Sequence, residues 1–312
     1  MKSAGALRIS DRVGGAARGD LSRTALTAFA PAVWGTTYIT TTELLPPGHP
    51  LFAATLRALP AGLIVLAVTR TMPHGQWWWK AAVLGVLNIG LLNALLFIAA
   101  ERLPGGVAAT LVAAQPLIVA LLAVAVLHER ASIWRLIWGV IGVAGVGLVV
   151  IGPSAALDAV GVAAGLASAG SMALGLTLTK RWGRPVGVGP VTFAGWQLTA
   201  GGAFLLPLTV LVEGRPPAID SAAAFGYLWL GLAGGLIAYV LWFRGITTLP
   251  VASTAVLVLL SPLVAAVLGA VLLAQTLGPI QLMGFALSLA AIVAGQLPAP
   301  ARPAPVLGGV RR

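Results

Sequence analysis

Cysteine is absent from this sequence, and charge is scarce. With no Cys, a disulfide framework, thiol chemistry and a Cys-based metal centre are all excluded. The three histidines, His49, His74 and His128, lie far apart at predicted helix ends. No metal-ligand spacing joins them, so each reads as an exposed interfacial residue, and no metal or other cofactor is expected. Charged residues make up only 9% of the chain, against roughly 25% in a soluble domain. A chain this poor in charge cannot cover a water-facing surface, and lipid must be its main solvent.

Further absences narrow the function. No predicted span centre carries Asp or Glu, so there is no evident proton relay inside the membrane. Proton coupling, exchange and facilitated diffusion all stay open. A membrane-embedded transferase, the main alternative to transport, would need clustered acids holding Mg²⁺ or a His/acid constellation near one interface. No Walker A loop is present, which argues against an ATP-driven pump. Nor is there the repeated charged ring or filter segment of a channel. Enzymatic activity is therefore not expected.

What is present is apolar sequence in long runs: 59% of the 312 residues are hydrophobic and the mean hydropathy is +0.98. The runs are continuous rather than alternating, which favours helices over a spanning barrel. Pro, Gly and charge bound ten of them, at 25–43, 51–70, 81–100, 106–127, 133–152, 159–179, 189–211, 222–242, 251–273 and 278–296. Residues 1–23 and the Pro-rich 298–312 read as disordered cytoplasmic tails.

The net charge of +11 reads as membrane orientation rather than affinity for nucleic acid. With the amino terminus inside, sixteen of the nineteen Lys and Arg fall on the inner side, and two, Arg102 and Arg215, on the outer. The last, Arg57, falls within a span. This segregation follows the positive-inside rule and predicts an inner-membrane protein with both termini in the cytoplasm. Trp77, Trp78, Trp79, Trp134 and Trp182 fall at the inner interface, where an aromatic belt belongs.

Two stretches echo each other. Leu103-Pro104 recurs 146 positions later as Leu249-Pro250, and Gln115-Pro116-Leu117 as Ser261-Pro262-Leu263. Gly85 and Gly231, and Phe97 and Phe243, match at the same offset. Two halves of five helices must enter the membrane from opposite sides, because five is odd. The expected fold is an all-α polytopic membrane protein of ten transmembrane helices, as two inverted-topology repeats of five covering 24–152 and 153–297. Such halves commonly rock about a shared midplane site. Pro116 and Pro262 would lie near the middle of spans four and nine. There they read either as matched kinks for gating or as static kinks for packing.

Arg57 lies about six residues inside span two. A cation there costs roughly 2.5–3.5 kcal/mol on insertion scales unless paired or hydrated. It faces either a central cavity and an anionic group of a solute, or snorkels outward to Glu43 or Glu101. The amides of Asn88, Asn93, Gln115 and Gln197 must be satisfied inside the bundle, as interhelical bridges or as cavity lining. Trp34 and Tyr38, four apart, share a helix face, as do Tyr239 and Trp242. Such faces can stack on a planar solute or pack between helices. Thr36, Thr37 and Thr40 read as helix packing, and Gly139, Gly142, Gly145 and Gly147 as close helix contacts. Candidate liners are therefore Trp34, Tyr38, Arg57, Asn88, Asn93, Gln115, Gln197 and Tyr239.

Several of these stretches resemble a known family. Ala32-Val33-Trp34-Gly35-Thr36-Thr37-Tyr38-Ile39, Leu56-Arg57, Leu103-Pro104, Gln115-Pro116 and His128-Glu129-Arg130 are similar, in order and spacing, to the EamA-type transporters of the drug/metabolite transporter superfamily. Tyr239-Val240-Leu241-Trp242-Phe243-Arg244-Gly245-Ile246, leading to Leu249-Pro250, resembles that family's eighth span. Glu43-Leu44-Leu45-Pro46-Pro47, Leu87-Asn88-Ile89-Gly90 and Leu103-Pro104-Gly105-Gly106 look like its PecM-like branch. The resemblance implies ten helices and export of a small organic solute: a pigment in that branch, amino acids and other metabolites in related ones. Its partners would be that solute and the bilayer, with the oligomeric state left open. One departure stands out. Where the family often carries Gly-Glu after span nine, this chain has Ala274-Gln275.

Overall fold

The structure, a computed structural model, describes residues 24–115, 118–119, 122, 125, 133–150, 158–246, 257, 260–275 and 277–297. Both terminal tails, Pro116, His128-Glu129-Arg130 and Leu249-Pro250 lie outside the described residues. Within them, all regular structure is helical. The elements are α1 (24–35), α2 (Thr37–Leu44), α3 (Pro50–Thr69), α4 (Trp77–Gly85), π1 (Val86–Leu91), α5 (Leu92–Arg102) and α6 (Gly105–Ala113). After these come α7 (Ile133–Val150), α8 (Ala159–Trp182), α9 (Pro190–Leu208), π2 (Thr209–Glu213), α10 (Ser221–Leu228), π3 (Trp229–Ile237), α11 (Ala238–Ile246), α12 (Leu260–Leu273) and α13 (Pro279–Gln296).

Among the described residues, five helices are long and apolar enough to cross a membrane: Pro50–Thr69, Trp77–Arg102, Ala159–Trp182, Pro190–Glu213 and Ser221–Trp242. At 1.5 Å per residue, the shortest, of 20 residues, spans about 30 Å, the thickness of the hydrocarbon layer. Three of the five contain a π-helical stretch. The apolar helices Leu260–Leu273 and Pro279–Ala291 are shorter.

Lipid supplies no hydrophobic force between helices, so packing rests on close approach of small residues. The contact between α3 and α9 is built this way. A Cβ added at Gly62 would meet the backbone of Thr199, and one at Gly202 would lie 2.7 Å from the Cα of Leu59. On another side of α9, Gly201 faces the carbonyl of Gly85 and the amide of Gly90. Gly105 and Gly106 of α6 lie against Ala265 and Ala266 of α12. Of the glycines expected to make close contacts in α7, Gly145 does so, against Gly284 and Ser288 of α13, whereas Gly139 and Gly147 have open space around them.

Helix ends are met by side chains from other segments. The Glu213 carboxylate takes the N–H groups of Leu51 (2.6 Å) and Phe52 (2.9 Å) at the start of α3. Gln275 Oε1 accepts the N–H of Gly105 at the start of α6. It fills this role without the charge a Glu would bring to a helix N-terminus. Ala274 beside it has φ 52°, a left-handed conformation in which a Cβ is strained. Ala274→Gly is therefore expected to raise stability by about 0.5–1 kcal/mol, measured as a later thermal unfolding midpoint in detergent.

Asp158 caps α8, accepting the N–H of Gly161 at 2.9 Å, and pairs with Arg102 at 2.8 Å. The Gly161 amide, and then the Arg102 guanidinium, hold its carboxyl below the usual carboxylate range. A lowered folded-state pKa contributes stability above the unfolded value, and that contribution fades as the pH falls through it. Asp158→Asn should accordingly unfold earlier than wild type at pH 7. The two curves should converge below about pH 4, as a pH series of thermal melts would record.

Candidate functional site

Arg57 sits on the second turn of α3 and is 4% exposed. Neither outward partner holds it: no ion pair joins it to Glu43 or Glu101, and the ion pair seen among the described residues is Arg102–Asp158. Glu101 instead lies beside the backbone of Gly48 and His49. The guanidinium makes one long hydrogen bond, from a terminal nitrogen to Thr37 Oγ1 at 3.4 Å, and its Nε is buried with no partner. It lies 5.8 Å from the centre of the Phe97 ring, a cation–π distance. Tyr38, buried, and Tyr239, half-buried, are its electrostatic neighbours.

The backbone of α3 can come this close to π3 because π3 is rich in glycine. A Cβ at Gly235 would strike the carbonyl oxygen of Arg57, and one at Gly231 would lie 3.2 Å from that of Leu56. Trp34 closes the site from α1. Its indole N–H donates to the Gly234 carbonyl at 2.9 Å. Its ring packs on Tyr239 (centroids 5.3 Å) and on the edge of Trp242 (5.5 Å). Trp229 Nε1 donates to Thr36 Oγ1 at 2.8 Å, a second tie between π3 and the first segment. A cation is thus surrounded by aromatic rings, hydroxyls and glycine backbone. That set can hold an anion and a planar ring together.

The amides form a separate group. Asn88, on π1, donates to Gln197 Oε1 at 2.8 Å and to Thr179 Oγ1 at 3.4 Å, tying α8 and α9 to π1. Gly175 makes room for it, since a Cβ there would collide with its side chain. Asn93 turns back on its own helix, donating to the Ile89 carbonyl at 2.8 Å. Both asparagines keep a buried Oδ1 without a partner. Gln115 is half-buried and has no hydrogen bond to the other candidates. Pro262 is buried in α12.

So four of the eight candidate liners, Trp34, Tyr38, Arg57 and Tyr239, come together, and Asn88 pairs with Gln197. Sequence reasoning assigned Thr37 to helix packing and did not place Phe97, Gly234 or Thr179 at either group. The one available signal was the glycine run of span eight, Gly231, Gly234 and Gly235, which marks a place where another backbone approaches. A groove lies elsewhere. It holds about 610 Å³ including its open mouth, and its lining includes Phe52, Leu56, Leu59, Leu206, Val210 and Arg215. Leu206 and Val210 are largely exposed, which suits a lipid-facing cleft better than a polar-solute site.

Comparison with known proteins identifies the family. The profile of the EamA-like transporter family matches twice, over residues 22–151 and 159–294. Protein PecM of Dickeya dadantii (strain 3937) is 43% identical over 265 residues, covering 85% of this chain and 89% of its own. A probable terminal-alkyne amino-acid exporter of Streptantibioticus cattleyicolor is 27% identical, covering 79% and 84%. A solved crystal structure shares the fold with a TM-score of 0.62 at 20% identity, over 88% of this chain and 96% of its own. With its apolar helices and a family match in each half, the chain is a multi-pass membrane protein that belongs to the EamA-like transporter family, within the drug/metabolite transporter superfamily and on its PecM-like branch.

Proposed function

We propose that this protein is a secondary transporter that exports a small organic metabolite across the inner membrane by alternating access. Ten helices in two inverted halves, 24–152 and 153–297, would rock about the site at Arg57, with both termini in the cytoplasm. The observation that carries this reading is a buried Arg57, without an acidic partner among the described residues, set among side chains from both family repeats: Thr37, Tyr38 and Phe97 from the first and Tyr239 from the second, with Trp34 packed on Tyr239.

The π segments lend support. Moving π1 (86–91) forward by the 146-residue offset brings it to 232–237, inside π3. Each segment thus occupies the same place in its own half, and π turns recur at functional sites. The relative named as an amino-acid exporter makes a charged metabolite a reasonable cargo. Asn88, Asn93, Gln115 and Gln197 would line the path or bridge helices beside it. Pro262, and Pro116 with it, would let spans nine and four bend during gating.

A metabolite-efflux screen of cells with and without the protein, repeated with Arg57→Ala, tests the reading. One or more solutes should leave faster when the protein is present, and the mutant should lose that efflux. An unchanged efflux profile in Arg57→Ala would remove Arg57 from the site.

A further inference from the structure

We propose that the solute is a planar aromatic monoanion, its carboxylate seated on Arg57 and its ring against the aromatic cluster of Trp34 and Tyr239. This rests on the transporter reading above and adds the chemical class of the cargo. A guanidinium offers five N–H donors in a planar fork. Here one of them makes a 3.4 Å contact with Thr37, and the Nε is enclosed without a partner. That fork fits the two oxygens of a carboxylate side by side.

The described acids are committed elsewhere or lie in the open. Glu213 holds the amides of Leu51 and Phe52, Asp158 holds Arg102 and the amide of Gly161, and Asp220 holds the amide of Ala223. Glu101 lies beside the backbone of Gly48 and His49, and Glu43 is exposed. The groups facing Arg57 from neighbouring elements are neutral: Thr37 and Tyr38 on α2, Phe97 on α5, Gly234 on π3 and Tyr239 on α11. The site therefore carries one uncompensated positive charge in surroundings of low polarity, and its natural complement carries one negative charge. A zwitterion would bring its ammonium into a site with no carboxylate to receive it.

The rings give the second half of the ligand. Trp34 packs on Tyr239 with ring centroids 5.3 Å apart and planes inclined at 55°, and against the edge of Trp242 at 5.5 Å and 62°. The three rings form a tilted cluster whose faces and edges can receive a planar ring. Aromatic surface and an anion-binding fork side by side select a ring that bears an acid.

Once loaded, such a site is neutral, whereas the empty site retains its cation. Closing around a neutral loaded site is easier than closing around a bare charge. The carrier should thus exchange one anion for another faster than it returns empty.

The test uses the full-length protein purified in detergent and tritiated indole-3-acetate, competed by unlabelled indole-3-acetate, indole-3-acetamide and tryptophan at pH 7. These share one ring and differ in head-group charge. The acid should compete at concentrations at least tenfold lower than the amide or the zwitterion, and Arg57→Gln should abolish that preference. Equal competition by the amide or by tryptophan in the wild-type protein overturns the monoanion class, and needs no variant. So does a failure of both indole-3-acetate and benzoate to bind. In proteoliposomes, preloading with unlabelled acid should accelerate uptake of the label. Selective binding without counterflow would overturn the transporter reading and leave the ligand class standing. Equal counterflow of acid and amide would do the reverse.

Discussion

Arg57→Met is expected to give a protein that unfolds later than wild type and transports nothing. The substitution removes a charge that is 4% exposed and has no acidic partner among the described residues. Methionine keeps a flexible chain of similar reach to pack against Phe97 and Tyr38. Replacing a buried ion pair with apolar residues is often neutral or stabilising by about 1–4 kcal/mol, and a buried ion with no partner to offset its desolvation has at least as much to gain. Against this stand the lost cation–π contact with Phe97, worth about 2 kcal/mol when desolvated, and one long hydrogen bond to Thr37, worth about 1 kcal/mol at that length. With the gain at the upper end of its range, the net expectation is about 1 kcal/mol of added stability, read from the unfolding midpoint in detergent, with efflux at the level of cells lacking the protein. The opposite signs of the two changes carry the information. A structural arginine would lose stability and function together, whereas a binding arginine is held at a cost to the fold. A variant that is less stable and still transports would contradict both the site and its energetics.

Gly202→Val should have the largest effect on folding. At this position α9 and α3 touch backbone to backbone, and a new Cβ would lie 2.6–2.8 Å from the Cβ, Cα and N of Leu59. No rotamer change can relieve a clash with main-chain atoms, so the helices must separate. That loses the neighbouring contacts of Gly62 with Thr199 and of Gly195 with Val65. Overpacking costs typically 1–3 kcal/mol and occasionally more, and a backbone clash belongs at the upper end. A loss of about 3 kcal/mol or more should appear as a monodisperse peak that shrinks or vanishes on size-exclusion chromatography. Gly139→Val, in α7, has open space around it and should behave as wild type in the same assay.

The spans were largely legible in the sequence because the strongest constraint, an apolar run bounded by Pro, Gly or charge, is local. The run expected at 159–179 is the helix Ala159–Trp182, and that at 189–211 is Pro190–Glu213. Other features depend on what a helix meets. The run expected at 25–43 is divided by a turn at Thr36, whose hydroxyl accepts a hydrogen bond from the Trp229 indole, nearly two hundred residues away. The π turns were not visible, because composition carries no mark of where a ladder slips from one acceptor to the next. Arg57 was conspicuous as a lone cation in an apolar run. Whether it turned inward depended on whether Glu43 or Glu101 reached it, which is a matter of tertiary placement. Asn88 and Gln197 were each visible as amides needing partners, but their pairing was not. Glu213 looked like an ordinary loop charge, and only the fold brings it to the first amides of α3.

The π turn in the helix that starts at Ser221 has one more consequence. Such a turn takes in one residue more than the α turn it replaces, so everything after it is rotated by about 100° relative to an unbroken helix. Tyr239 and Trp242 follow π3 directly, and their angular position around the helix axis is set by that slip. In a register without it, both rings would be turned by about 100° from Trp34, and the guanidinium would keep Thr37, Tyr38 and Phe97 but lose Tyr239. The aromatic half of the pocket is in this sense a property of helical phase, written into the backbone upstream of the residues that display it.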